Sequence, residues 1–185
     1  MTVSWLPGRA DFAKKINLAY EQFEADWYFQ AATDLVFYPR WASLALDIGE
    51  KQGVGVVGTN DLGNPHVQRG NAATHILFSR EYIETFSGTY DGSARVFSEE
   101  YDHSFVDTEF VQTALLRRQF APSRRSIVEH MHPHWGKGAM DDTYEKSVRE
   151  FREDAVIYNR RMRAARRQLG THGRAFARRG YIGRQ

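Results

Sequence analysis

Along the last quarter of the chain apolar side chains return every three or four residues: Tyr144, Val148, Phe151, Ala155, Tyr158, Met162, Ala165 and Leu169. This is the seam of an amphipathic helix of roughly seven turns, and Gly170 stands where a C-cap is expected. A second stripe, Phe12, Ile16, Ala19, Phe23, Trp27 and Ala31, is widened by Tyr20 and Phe29 and predicts a helix over 11–32, with Asp11 at its first turn. Its aromatic load is assigned to a core ahead of an interface, because aromatic clusters fill interiors more often than they meet partners.

Between these helices the period shortens. Leu35 to Tyr38 reads as a strand before Pro39, followed by a short helix over 40–46 that Gly49 ends. Segments 74–78, 94–97 and 103–106 read as strands, and Tyr82, Ile83 and Phe86 lead into a turn at Ser87-Gly88. Thr108 to Phe120 predicts a helix that stops before Pro122, with Ser123 capping a further short helix containing Ile127 and Val128. Val54 to Val57 is broken by Gly53, Gly55 and Gly58 and precedes the turn-rich TNDLGNPHVQRGN, so it reads as a flexible hairpin or exposed loop. GVGVVG is no phosphate-binding loop, since it lacks a strong preceding strand, a following helix and a Lys-Ser/Thr pair. The expected fold is therefore a single α+β domain. It has N-terminal and C-terminal amphipathic helices, a small central antiparallel or mixed sheet, and a basic C-terminal arm. The body spans 1–169 and the extended arm 170–185.

Length and composition agree with one domain, since 185 residues can bury a core of their own. Cysteine is absent, which excludes disulfides and cysteine-ligated metal sites. The opening MTVSWLPGRADF has no apolar signal core and no run is long enough to cross a bilayer. The expectation is a soluble protein, cytoplasmic or part of a virion, with no membrane partner. Charge changes the picture more. Residues 1–159 hold 16 basic and all 23 acidic residues, a balance of −7, whereas 160–185 carry nine Arg and no acid. An acidic body with a basic end suits docking on an acidic neighbour, or touching nucleic acid through the tail alone.

Candidate chemistry is sparse. In an extended segment His130, His132 and His134 share one face, and imidazoles ligate zinc, iron or nickel, but Pro133 interrupts the alternation and the spacing matches neither HExxH nor a zinc finger. Histidine pairs followed by a helical tyrosine nucleophile occur in nucleases. Tyr144 and Tyr158 lie downstream, yet both occupy the apolar seam, so they read as packing residues. GxSxG is absent, and Glu99-Glu100 and Asp141-Asp142 read as a polar loop and a helix start. No motif implies a cofactor.

Three functional readings follow. The preferred one is a non-enzymatic assembly protein that forms a homo-oligomer or docks on other subunits, for example in a bacteriophage capsid or head-to-tail connector. Arg160, Arg161, Arg163, Arg166, Arg167, Arg174, Arg178 and Arg179 would pair with carboxylates while Phe176, Tyr181 and Ile182 fill apolar pockets. The second is a nucleic-acid-binding protein using the same arginines. The third is a metal-dependent hydrolase or nuclease built on His130, His132 and His134.

Overall fold

A computed structural model describes the backbone of residues 11–140 and 142–179 and the side chains of 11–140 and 151–170. Six helices and five strands alternate along it: α1 (Asp11–Gln22), β1 (Trp27–Gln30), β2 (Leu35–Phe37), α2 (Trp41–Gln52), β3 (Val56–Asn60), α3 (Pro65–Gln68), β4 (Ile76–Ser79), α4 (Arg80–Phe86), α5 (Val106–Leu116), β5 (Phe120–His130) and α6 (Asp142–Arg179), with a 3-10 turn at Pro133–Trp135. The strands form one mixed sheet in the order β1-β4-β3-β5-β2. β3 and β5 run parallel, and every other pair is antiparallel. The fold is α+β, as expected, with helices near both ends of the described chain flanking a small mixed sheet.

Alternation along the strands divides the core between two faces. Val56, Ile76, Phe78 and Phe120 join Ala13, Tyr20, Phe97 and Phe110 in the larger cluster, against which Ile157 and Tyr158 of α6 also pack. Val57 and Leu77 face Ala45 of α2, with Trp27 and Phe29 beside them. The glycine-rich stretch expected as an exposed loop is thus the central strand. A Cβ on Gly58 would lie 2.7 Å from Ala73 Cβ and 2.9 Å from Phe120, so glycine there permits close packing. Gly53, at φ 62°, ends α2 in the left-handed conformation.

Other expectations need correction. The helix predicted over 11–32 stops at Gln22, because Trp27-Tyr28-Phe29 pair with β4 as an edge strand. Tyr28 then faces the larger cluster and Trp27 and Phe29 the smaller one, a period of two that suits aromatic residues. The segment expected to be a helix after Ser123 belongs to β5, where Ser123 and Ser126 hydroxyls donate to the carbonyls of Leu44 and Trp41 in α2. Helix α5 ends at Leu116, so Phe120 opens β5. Segments 94–97 and 103–106 form no strands; Val106 already belongs to α5. Instead the Asn17 amide accepts from the N–H of Val96 (3.0 Å) and Phe97 (2.9 Å) and donates to Phe97 O (2.9 Å), doing for this loop what a neighbouring strand would do.

Helix α6 carries the predicted seam, with Met162 and Ala165 buried. It does not stop at Gly170 but runs to Arg179. An interior glycine costs about 1 kcal/mol relative to alanine, too little to end a helix without a breaker such as proline. The helix begins at Asp142, where the sequence places its start, while Asp141, the side chains of 142–150 with the seam positions Tyr144 and Val148 among them, and those beyond Gly170 lie outside what is described.

Candidate acid–base site at the carboxyl ends of β3 and β5

Parallel β3 and β5 end at one edge of the sheet. At that edge, four imidazoles form a row from solvent into the core. Ring centroids are 6.4 Å apart from His134 to His132, 4.9 Å from His132 to His130, and 4.9 Å from His130 to His75, each contact edge to face. His134 is exposed and His132 half-buried, while His130 is 9% and His75 2% accessible.

Strand register builds this place. His130 closes β5 opposite Leu35 of β2, which sets Asp34 beside it, with His130 Nε2 and Asp34 Oδ2 3.0 Å apart. The Met131 N–H donates to Asp34 O at 2.9 Å and fixes the two chains. His75 immediately precedes β4, and its carbonyl accepts from the Thr59 N–H and hydroxyl. Gln30 ends β1 and reaches His75, its Nε2 lying 3.5 Å from Nδ1. Asp61 follows β3 directly; its Oδ1 accepts from the N–H groups of Gly63 (3.2 Å) and His130 (3.4 Å).

Three buried atoms of this group have no hydrogen-bond partner: Gln30 Oε1, Asp61 Oδ2 and His75 Nε2. Such atoms are uncommon in folded proteins. Burial, reinforced by neighbouring His130, pushes the His75 pKa down to about 3, so this ring is neutral at physiological pH. Burial, then His130, also lowers His132.

A second polar cluster lies under α6. Arg161, 1% accessible, donates from Nε and Nη2 to the two Glu109 carboxylate oxygens at 2.8 Å each. Its remaining N–H groups reach Asp91 (3.2 and 3.3 Å) and Glu100, and its guanidinium lies 5.0 Å from the Tyr90 ring centre. Tyr101 donates its hydroxyl to Glu109. Seven residues before Arg161, buried Asp154 accepts the backbone N–H groups of Asp102, His103 and Ser104 at 2.7–2.9 Å. Phe105, held at φ 66°, stacks next to this loop on Tyr158, with ring centres 5.0 Å apart.

The residues singled out in the sequence therefore scatter. Arg161 is a correction: it is enclosed within its own chain, so no partner can use it, and its burial is matched by three carboxylates. Arg160 pairs with Glu100, while Arg163, Arg166 and Arg167 face solvent. Arg174, Phe176, Arg178, Arg179, Tyr181 and Ile182 fall outside the described side chains. His130, His132 and His134 do come together, but not as a ligand set. His130 Nε2 is engaged by Asp34, His132 Nδ1 accepts from the His134 N–H at 3.0 Å, and the 3-10 turn breaks the extended alternation. Among the described residues no group of three or more His, Asp or Glu side chains is arranged to hold a metal ion.

Sequence reasoning missed Gln30, Asp34, Asp61 and His75. Each is a polar residue at or just beyond the end of an apolar strand, and that position was the available signal. Among the described residues no helix is long and apolar enough to cross a membrane. Comparison with protein-family models, with characterised proteins and with solved structures finds no match to this chain.

Proposed function

We propose that this chain is a group-transfer enzyme that activates a substrate hydroxyl through the Asp34–His130 pair. The 3.0 Å contact of His130 Nε2 with Asp34 Oδ2 at the carboxyl edge of parallel β3 and β5 carries the reading. With its Nε2–H donated to Asp34, His130 keeps the basic lone pair on Nδ1, and the carboxylate stabilises the imidazolium that forms. In the transfer step the substrate oxygen bonds to the transferred group, the bond from that group to its leaving group breaks, and the hydroxyl proton passes to His130 Nδ1. His132 and His134 extend the row of rings to solvent.

Release of leaving group from a panel of activated donors, sugar nucleotides and nucleoside triphosphates among them, in the presence of hydroxyl acceptors tests this. Asp34→Asn and His130→Gln are each expected to lower the rate by about 10²–10⁴-fold, the usual contribution of a positioned base. Undiminished turnover in both variants refutes the assignment.

A second reading, docking on other subunits in an assembly such as a virion, now draws its support from exposed apolar residues. Val36, Phe37 and Tyr38 lie at the β2 edge, and Phe151 and Val156 on α6, all at least 38% accessible. The exposed Arg163, Arg166 and Arg167 keep a nucleic-acid contact in view. A defined oligomer in solution that dissociates on removal of 171–185 would favour docking, and DNA affinity that falls steeply with salt would favour the nucleic-acid contact.

A further inference from the structure

Helix α6 has two unlike faces. Asp154, Tyr158, Arg161 and Ala165 turn toward the body, where they are buried or packed against the larger apolar cluster. With 3.6 residues per turn, Arg152, Val156, Arg163 and Arg166 come up on the opposite side. All four are exposed, Val156 at 70%, so the outer face carries a row of three arginines around one apolar side chain.

Its complement lies elsewhere on the chain. A cleft of about 800 Å³ opens where α2 ends and α4 begins, lined by the carboxylates of Asp26, Glu50, Glu81 and Glu84 and the rings of Trp27 and Phe86. Arg80 is the one cation in its wall among the described residues, and it is committed within the chain: it donates to the carbonyls of Phe23 and Ala25, each at 3.1 Å, and lies 3.4 Å from Glu84. Four carboxylates against one guanidinium leave a balance of −3. Gly53, which ends α2, is also part of the wall, so the negative end of that helix dipole adds to the field. Such a cleft repels anions and suits a cationic surface with an apolar point in it.

We infer that the outer row of α6 docks into this cleft on a second copy of the chain, its arginines meeting the carboxylates and Val156 the rings. The two surfaces are complementary in charge, as are the two parts of the chain, at −7 over 1–159 and +9 over 160–185. Because the row lies on the far side of α6 from its own body, the cleft that it meets belongs to another copy. Nucleic acid fits the row less well, since phosphates drawn to it would face an acidic body and gain nothing from Val156. Row and cleft are different surfaces, so the interface is heterologous: repeated about an axis it closes into a ring, and unclosed it runs on as a filament. The inference rests on the docking reading above and is independent of Asp34–His130 as a base.

Sedimentation of the full chain at up to about 100 μM, enough to populate complexes of micromolar Kd, tests it. The protein should run above its monomer mass of 21.3 kDa in about 10 mM salt and fall back to it in about 1 M, where charges are screened within a few ångströms. Arg163→Glu with Arg166→Glu, and separately Glu50→Arg with Glu81→Arg, should each give a monomer of unchanged Tm, since all four side chains are exposed. The chain with all four substitutions should assemble again, its charges exchanged. Salt serves as the check where a variant fails to fold, because an oligomer indifferent to salt overturns the inference. A wild-type monomer at every salt concentration overturns it and the docking reading together. An oligomer that survives both pairs of reversals but dissociates without 171–185 overturns these surfaces and leaves docking standing. If each pair gives a folded monomer and the four-substitution chain does not assemble, the two surfaces do not meet and the inference fails. A labelled DNA duplex that binds the monomer, and loses affinity in Arg163→Glu with Arg166→Glu, would assign the row to nucleic acid instead.

Discussion

Two buried polar clusters, one under α6 and the other beyond β3 and β5, obey opposite rules. Around Arg161 the guanidinium N–H groups are met by the carboxylates of Glu109, Asp91 and Glu100, and Asp154 gathers three backbone N–H groups. Around His75 three atoms are left without partners. A buried charge is tolerated when every donor and acceptor is matched, and then it fixes one arrangement of the chain. Buried polar atoms left unmatched lower stability. The first cluster is matched atom for atom within the fold and the second is not, although arginine looked functional in the sequence and Gln30 did not.

The largest expected effect breaks the satisfied cluster. Arg161→Leu leaves Glu109 buried without its cation and should cost about 3–5 kcal/mol in urea denaturation. Arg161→Lys should recover only part of that loss, because an ammonium cannot repeat the bidentate contact. Asp154→Ala strips the acceptor from the 102–104 loop and should cost about 1–3 kcal/mol, with faster amide exchange at Asp102, His103 and Ser104.

The pH dependence of the two clusters sharpens the contrast. His75 takes up a proton near pH 6.5 when unfolded but only near 3 in the native state. The unfolded chain therefore binds more protons between those values, and stability falls as pH is lowered through that window. His75→Phe should remove this part of the slope. A smaller effect of the same sign comes from Asp91. Burial raises its pKa, but hydrogen bonds from Ser93 and Arg161 and the Arg161 charge outweigh burial and hold it at about 2, below its ordinary 3.8. Its contribution is complete above the ordinary value and is lost as pH falls toward 2. That slope should shrink in Arg161→Leu and survive in His75→Phe; denaturation midpoints measured across pH 2–7 would show whether the clusters titrate independently.

Much of the architecture was legible because single elements obey single periods. The helix of α6, the short strand before Pro39 and a helix near 108–120 follow from spacing, with bounds that shift by a few residues. Elements that depend on distant partners were not legible. Trp27 to Gln30 continued the helical stripe of α1, and only pairing with β4 makes them a strand. The β3 glycines resembled a loop because the reason for Gly58, its approach to Ala73 and Phe120, lies across the sheet. Asp154 and Arg161 sit seven residues apart on the inner face of α6, beside the seam positions Ala155 and Met162. Their charge argued for solvent, and the partners that reverse that argument come from residues 91–109. Of the site, the histidines of 130–134 were visible as a group. Gln30, Asp34, Asp61 and His75 were not, because register brings them together across about a hundred positions of chain.

The sheet order has one more consequence, for the growing chain. β2 pairs only with β5, and β5 enters between β2 and β3, so a ribosome that has released 119 residues holds a sheet with the place between β3 and β2 empty. Val36 and Phe37 on one side and the β3 backbone on the other then lack their partner. Both are strand edges of the kind that recruits other chains. Pairing across so long a separation closes slowly, and a premature stop before Phe120 would release a product without the strand that joins the two parts of the sheet. Aggregation is the hazard such truncations carry.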